Sequence, residues 1–91
     1  MKTIWKFPLE PDGFMPMPQG AEVLCVQVQN ETPCLWALVD PNAAEKETRV
    51  FRIYGTGHQI HEQASLDNYI GTFQLQGGLL IFHVFETTNQ R

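Results

Sequence analysis

Apolar residues in this chain recur at every second position, in runs of five to nine residues separated by turn chemistry, and no stretch repeats at a helical period. That pattern builds half-buried strands and excludes amphipathic helices. Thr3 to Leu9 sets Trp5, Phe7 and Leu9 on one face and Ile4 and Lys6 on the other. Phe14 to Pro18 carries two prolines and is limited to a sheet edge. Ala21 to Gln29 alternates with Leu24, Val26 and Val28 together. Cys34 to Val39 is apolar on both faces, the composition of a central strand covered on both sides. Thr48 to Tyr54 turns Phe51 and Ile53 inward and Arg49, Arg52 and Tyr54 outward. Tyr69 to Gln76 groups Tyr69 with Gly71, Phe73 and Leu75, and Leu79 to Glu86 is the last run.

The punctuation agrees. Glu10 to Gly13 and Asn30 to Pro33 have turn composition, and Gly77-Gly78 signals a hairpin with positive φ. His58 to Asn68 lacks a pattern and reads as a long loop. The expected fold is all-β: a small antiparallel sandwich or barrel of six to seven strands, with at most one short helix, near Pro41 to Glu47. Residues 1–86 form one β domain, and residues 87–91 are expected as a flexible tail. Trp5, Phe7, Trp36, Phe51, Phe73 and Phe82 are assigned to the core. Phe14, Tyr54, Tyr69 and Phe85 are left for a groove or a subunit interface.

Composition narrows the function classes. Ten aromatics and 43% hydrophobic residues exclude a disordered chain. A net charge of −4 with only six Lys and Arg gives no basic face for nucleic acid. The longest apolar stretch, Leu79 to Phe85, is too short to span a bilayer, and the start of the chain has no signal-peptide run. These features point to a cytoplasmic chain with no nucleic-acid or membrane partner. A 91-residue domain buries only about 60–65% of its unfolded surface, so spare aromatics are expected to serve a homo-oligomer.

Cys25 and Cys34 flank the Asn30-Glu31 turn. A turn centred there pairs Gln27 with Cys34 and Cys25 with Trp36, which offsets the thiols diagonally and leaves both free. His58 and His61 have the spacing of a helical ligand pair, but no helix is expected there, so neither a metal nor a cofactor is assigned. A hydrolase would draw its base from His58 or His83, its orienting carboxylate from Asp40 or Glu62, and its nucleophile from Thr56 or Cys34. No nucleophile elbow frames these residues, and no catalytic set is assigned.

The loop Gly55-Thr56-Gly57-His58 has the composition of an anion cradle. Two glycines expose backbone N–H groups around a hydroxyl. Arg52 would add a charge-assisted contact, Tyr54 a stacking surface and His58 a further donor. The candidate ligand-binding set is therefore Arg52, Tyr54, Gly55, Thr56, Gly57 and His58; the plain alternative is a tight turn that needs glycine.

Several runs carry a resemblance. Ile4-Trp5-Lys6-Phe7-Pro8-Leu9, Cys34 to Pro41, Phe51 to His58, Tyr69 to Gln74 and Phe82 to Glu86 are similar to a family of small proteins encoded by tailed phages and prophages. The likeness spans nearly the whole domain and leaves out Ala43 to Glu47, Gln59 to Asn68 and the tail. Relatives often place proline after the histidine of Gly-Thr-Gly-His, where this chain has Gln59. The resemblance implies an accessory protein that works by binding in the host bacterial cytoplasm. The leading expectation is a counter-defence protein that sequesters a phosphate-bearing nucleotide signal. The alternatives are an inhibitor of a host defence protein, a minor structural component, or a small hydrolase.

Overall fold

The computed structural model describes residues 1–87. Seven strands follow in order: β1 (Thr3–Pro8), β2 (Phe14–Pro18), β3 (Glu22–Gln29), β4 (Thr32–Val39), β5 (Lys46–Gly55), β6 (Asn68–Leu75) and β7 (Leu80–Thr87). They form two antiparallel sheets, β1-β4-β3 and β2-β5-β7-β6, packed as a sandwich. Met15, Met17, Val26, Leu35, Ala37, Val39, Phe51, Phe73 and Val84 fill the space between them. Among the described residues no helix is long and apolar enough to cross a membrane.

Local chemistry sets the connections. Asn30 and Glu31 both adopt positive φ, 51° and 64°, the pair required by a two-residue hairpin turn. The register that follows pairs Gln27 with Cys34 and Cys25 with Trp36, as the turn alone dictates. Both thiols are free. The β6–β7 hairpin passes through Gln76, Gly77 and Gly78, all at positive φ. After β4, the Asp40 carboxylate accepts from Asn42 N at 2.9 Å and its carbonyl accepts from Ala43 N at 3.0 Å. These side-chain and turn bonds compete with a helical turn. The short helix expected near Pro41 to Glu47 does not form, and β5 has begun by Lys46.

Two β-bulges overturn the expected facing of two residues. The β3 register shifts between Val23 and Cys25, leaving Leu24 45% exposed rather than beside Val26. The β6 register shifts between Tyr69 and Gly71, so Tyr69 opposes Phe85 on the outer face rather than joining Phe73 inside. A bulge inserts one unpaired residue, and strict alternation fails across it.

Four further assignments change. Trp5 has inward parity, opposite the buried Ala37, but lies 41% exposed on the edge strand β1. Trp36 occupies the central strand of its sheet on the outer face, half-buried, opposite Lys6 and Cys25. Among the described residues no further sheet lies over that face. Arg49 shares the inward parity of Phe51, and its guanidinium donates to both Glu86 carboxylate oxygens and, at 2.7 Å, to the Ala21 carbonyl. The hydrogen bond it donates to Glu86 holds the Arg49 guanidinium above its ordinary pKa; desolvation works against this shift, and the charges of Glu86 and Glu47 add to it. Thr87, expected to begin the tail, is instead 2% exposed and paired with Val50. The remainder of that tail lies outside the described residues.

Candidate functional site

The outer face of the four-stranded sheet is a grid in which three strands contribute three rows. Arg52, Phe85 and Tyr69 stand side by side, then Tyr54, His83 and Thr72. Thr56 follows at the end of β5, its amide bonded to the Ile81 carbonyl at 3.0 Å, with Gln74 opposite Ile81 on β6. Strand spacing makes the grid about 10 Å wide and about 13 Å long. These are the dimensions of a small ligand, not of a polymer.

His83 sits at the centre. Its Nε2 lies 2.6 Å from Thr56 Oγ1, and its Nδ1 lies 3.0 Å from the Tyr69 hydroxyl and 3.1 Å from Thr72 Oγ1. The Tyr69 and Thr72 hydroxyls also bond one another. Every partner of the ring is a hydroxyl able to donate or accept, so either tautomer and the imidazolium can be accommodated. Beside this cluster, Phe85 meets Tyr69 edge-on at 5.0 Å and Tyr54 at 6.2 Å. Tyr69 is 53% exposed, so its ring remains open to a partner. Arg52, half-buried at the grid's corner, makes no hydrogen bond or ion pair with any described residue.

The Gly-Thr-Gly-His loop divides between two faces. Gly57 at φ 85° closes a turn in which His58 N donates to the Gly55 carbonyl at 3.0 Å. Gly55 has inward parity, and the His58 imidazole lies over it, within 2.7 Å of where a Cβ would stand. Thr56 points the other way, to His83. The amides of Thr56 and His58 are already bonded to carbonyls, which removes two of the donors an anion cradle would use. A shallow cavity of about 200 Å³ beside the loop is bordered by Leu79, Leu80 and Ile81, an apolar rim unsuited to a phosphate. Of the six expected ligand residues, Arg52, Tyr54 and Thr56 therefore share the outer face, while Gly55, Gly57 and His58 form its supporting turn.

The chain matches, over residues 1–91, the model of a family described as a domain of unknown function, DUF7352. It belongs to that family. No curated protein and no solved structure matches it.

In this DUF7352 chain the other chemistry-bearing residues are dispersed. His61 Nδ1 accepts from Gln63 N at 3.1 Å, a bond within its own turn. Cys34 is buried, with its thiol directed at the Thr32 carbonyl. Asp40 caps its turn, and Glu62 stands on an exposed loop. Among the described residues no three His, Cys, Asp or Glu side chains gather around one point. The sequence left Tyr69 and Phe85 for a groove or interface and offered His83 only as a hydrolytic base; it did not bring the three together with Thr72. Their period-two placement on facing strands was visible, but their union depends on β6 and β5 both pairing with β7 and on the bulge that turns Tyr69 outward.

Proposed function

We propose that this DUF7352 protein is a non-catalytic binding module whose ligand surface is the outer face of the four-stranded sheet. The ligand is a phosphate-bearing nucleotide. Its base lies against the open ring of Tyr69 and the half-buried ring of Tyr54, its phosphate meets Arg52, and its hydroxyls or ring nitrogens meet the His83–Thr72–Thr56 cluster. The observation that carries this reading is the Arg52 guanidinium, unpaired among the described residues, in one cross-strand row with half-buried Phe85 and exposed Tyr69. Aromatic faces on a sheet stack bases whatever their identity, and guanidinium is the preferred partner of phosphate. The chain's net charge of −4 favours a single nucleotide over a polymer. The biological setting we propose is a phage accessory protein that withholds a nucleotide signal from host defence in the bacterial cytoplasm. The same face burying against a host protein, or within a virion, is the competing use.

Titration calorimetry of wild type and Arg52→Ala against cyclic and ADP-ribose-type nucleotides tests this. Arg52→Ala is expected to lose about 1.5–3 kcal/mol of affinity, at least tenfold, with little change in melting temperature. Equal binding by the two proteins, or none by wild type, removes this face from consideration as a nucleotide site.

One observation favours a second reading: Thr56 Oγ1 stands 2.6 Å from His83 Nε2, the reach of a nucleophile and its base. A hydrolase would consume the titrated nucleotide; a binding module returns it intact.

A further inference from the structure

The two sheets have four edges, formed by β2, β3, β6 and β1. In β2, Phe51 N donates to the Gly13 carbonyl at 2.8 Å and Gln19 N to the Glu45 carbonyl at 2.9 Å. These bonds fix the phase: odd-numbered residues bond to β5, and Phe14, Pro16 and Pro18 face outward. The two prolines have no N–H, and the Phe14 N–H is taken by Asp12 Oδ1 at 3.0 Å. That edge offers no strand donor. Strands β3 and β6 pack through their inward faces, Val26 Cγ1 standing 3.1 Å from where a Cβ on Gly71 would be, and a cavity of about 220 Å³ lies between them.

The fourth edge is β1, whose only ladder among the described residues is with β4. Leu9 N donates to the Pro33 carbonyl at 2.9 Å, so odd-numbered residues face β4. Ile4 and Lys6 therefore present their N–H and C=O groups outward, a template for another strand. Large apolar groups flank that template on both faces: Ile4 is 56% exposed and Trp5 41%.

We propose that the protein is a homodimer formed by antiparallel pairing of β1 with the same strand of a second copy, Trp5 against the partner's Trp5. Outward groups on even residues require even residues to pair with even. Pairing Ile4 with the partner's Ile4 would set Lys2 opposite the partner's Lys6, and pairing Lys6 with itself would oppose two ammonium groups; both are disfavoured. The register that joins Ile4 to the partner's Lys6 sets no two lysines directly opposite. It places Lys2 opposite the partner's Pro8, on the diagonal between the partner's Lys6 and the partner's Glu10. Thr3 then meets the partner's Phe7. The two Trp5 residues fall at a non-hydrogen-bonded pair, where Cα atoms approach to about 4.5 Å and aromatic side chains pack best. Lys2 and Lys6 thus act as selectors of one register, and the result is a continuous six-stranded sheet. Self-complementarity in charge and shape is what favours a second copy over an unrelated strand. The interface is on the sheet opposite the ligand face, so neither proposal depends on the other.

Sedimentation velocity at high micromolar concentration should show a dimer for wild type. Ile4→Pro deletes an outward N–H without touching the β4 ladder, and should give a monomer with an unchanged circular dichroism spectrum. Should Ile4→Pro fail to fold, register is read by cysteine cross-linking in a Cys25→Ser, Cys34→Ala background. Trp5→Cys should form an intermolecular disulfide, the Cα separation being within disulfide range, and Lys6→Cys should not. A monomeric wild type, a dimer that survives Ile4→Pro, or a disulfide forming as readily at position 6 as at position 5 overturns the proposal. Monomer by itself but saturable binding of an acidic extended peptide would assign the edge to a different partner and equally overturn it.

Discussion

The two outward faces of the sandwich carry similar numbers of aromatic and apolar groups and treat their polar atoms in opposite ways. On the three-stranded sheet, Ile4, Leu38, Trp36 and Cys25 form an apolar surface, and Trp36 Nε1 is buried with no hydrogen-bond partner among the described residues. On the four-stranded sheet both nitrogens of His83 are engaged by hydroxyls, and the aromatic rings stand beside them. A buried orphan donor costs about 1–3 kcal/mol, whereas an exposed, satisfied network costs little and presents its donors to a ligand. The difference teaches that half-burial of an aromatic says little by itself. What surrounds its polar atoms separates a face built for packing from one built for recognition.

Three substitutions sharpen this contrast. The largest effect is expected from Trp36→Ala, at about 2–3 kcal/mol, below the 3–5 kcal/mol of a fully buried ring because Trp36 is covered on one side only. Denaturant unfolding measures it, and a loss above about 4 kcal/mol would mean that the outer face is covered in solution. His83→Leu should cost about 1 kcal/mol, since its hydroxyl partners are exposed and water replaces the ring. A loss of more than about 3 kcal/mol would make the cluster a structural support and break the comparison. The smallest effect belongs to Trp36→Phe. Lost ring area and the removed orphan donor act in opposite directions, and stability should stay within about 1 kcal/mol of the parent. A loss near that of Trp36→Ala would show that Nε1 has a partner after all.

Much of the fold was legible because strands and turns are local. Period-two alternation, one run apolar on both faces and the turn residues between runs located all seven strands, the prolines of β2 marked an edge, and Asn30-Glu31 set the β3–β4 register to the residue. The candidate site was legible only in part. Arg52 and Tyr54 share a face because they lie two residues apart on β5, and Thr56 continues the alternation just past its end. His58 was misplaced because the turn that raises Thr56 outward folds the imidazole back over Gly55. Arg49 was misplaced because a charged side chain reads as outward until a buried partner, Glu86, is found 37 residues away.

By itself, then, the sequence determined the strands, their turns, the free thiols and the acidic charge balance, all of which follow from residues within a few positions of one another. The tertiary structure decided which strands became neighbours, where two bulges reversed the alternation, and which strands stand at the four edges. It also decided that Thr56, Tyr69 and Thr72 converge on His83. Those outcomes depend on contacts between residues 11 to 27 positions apart or more, and no local preference encodes them.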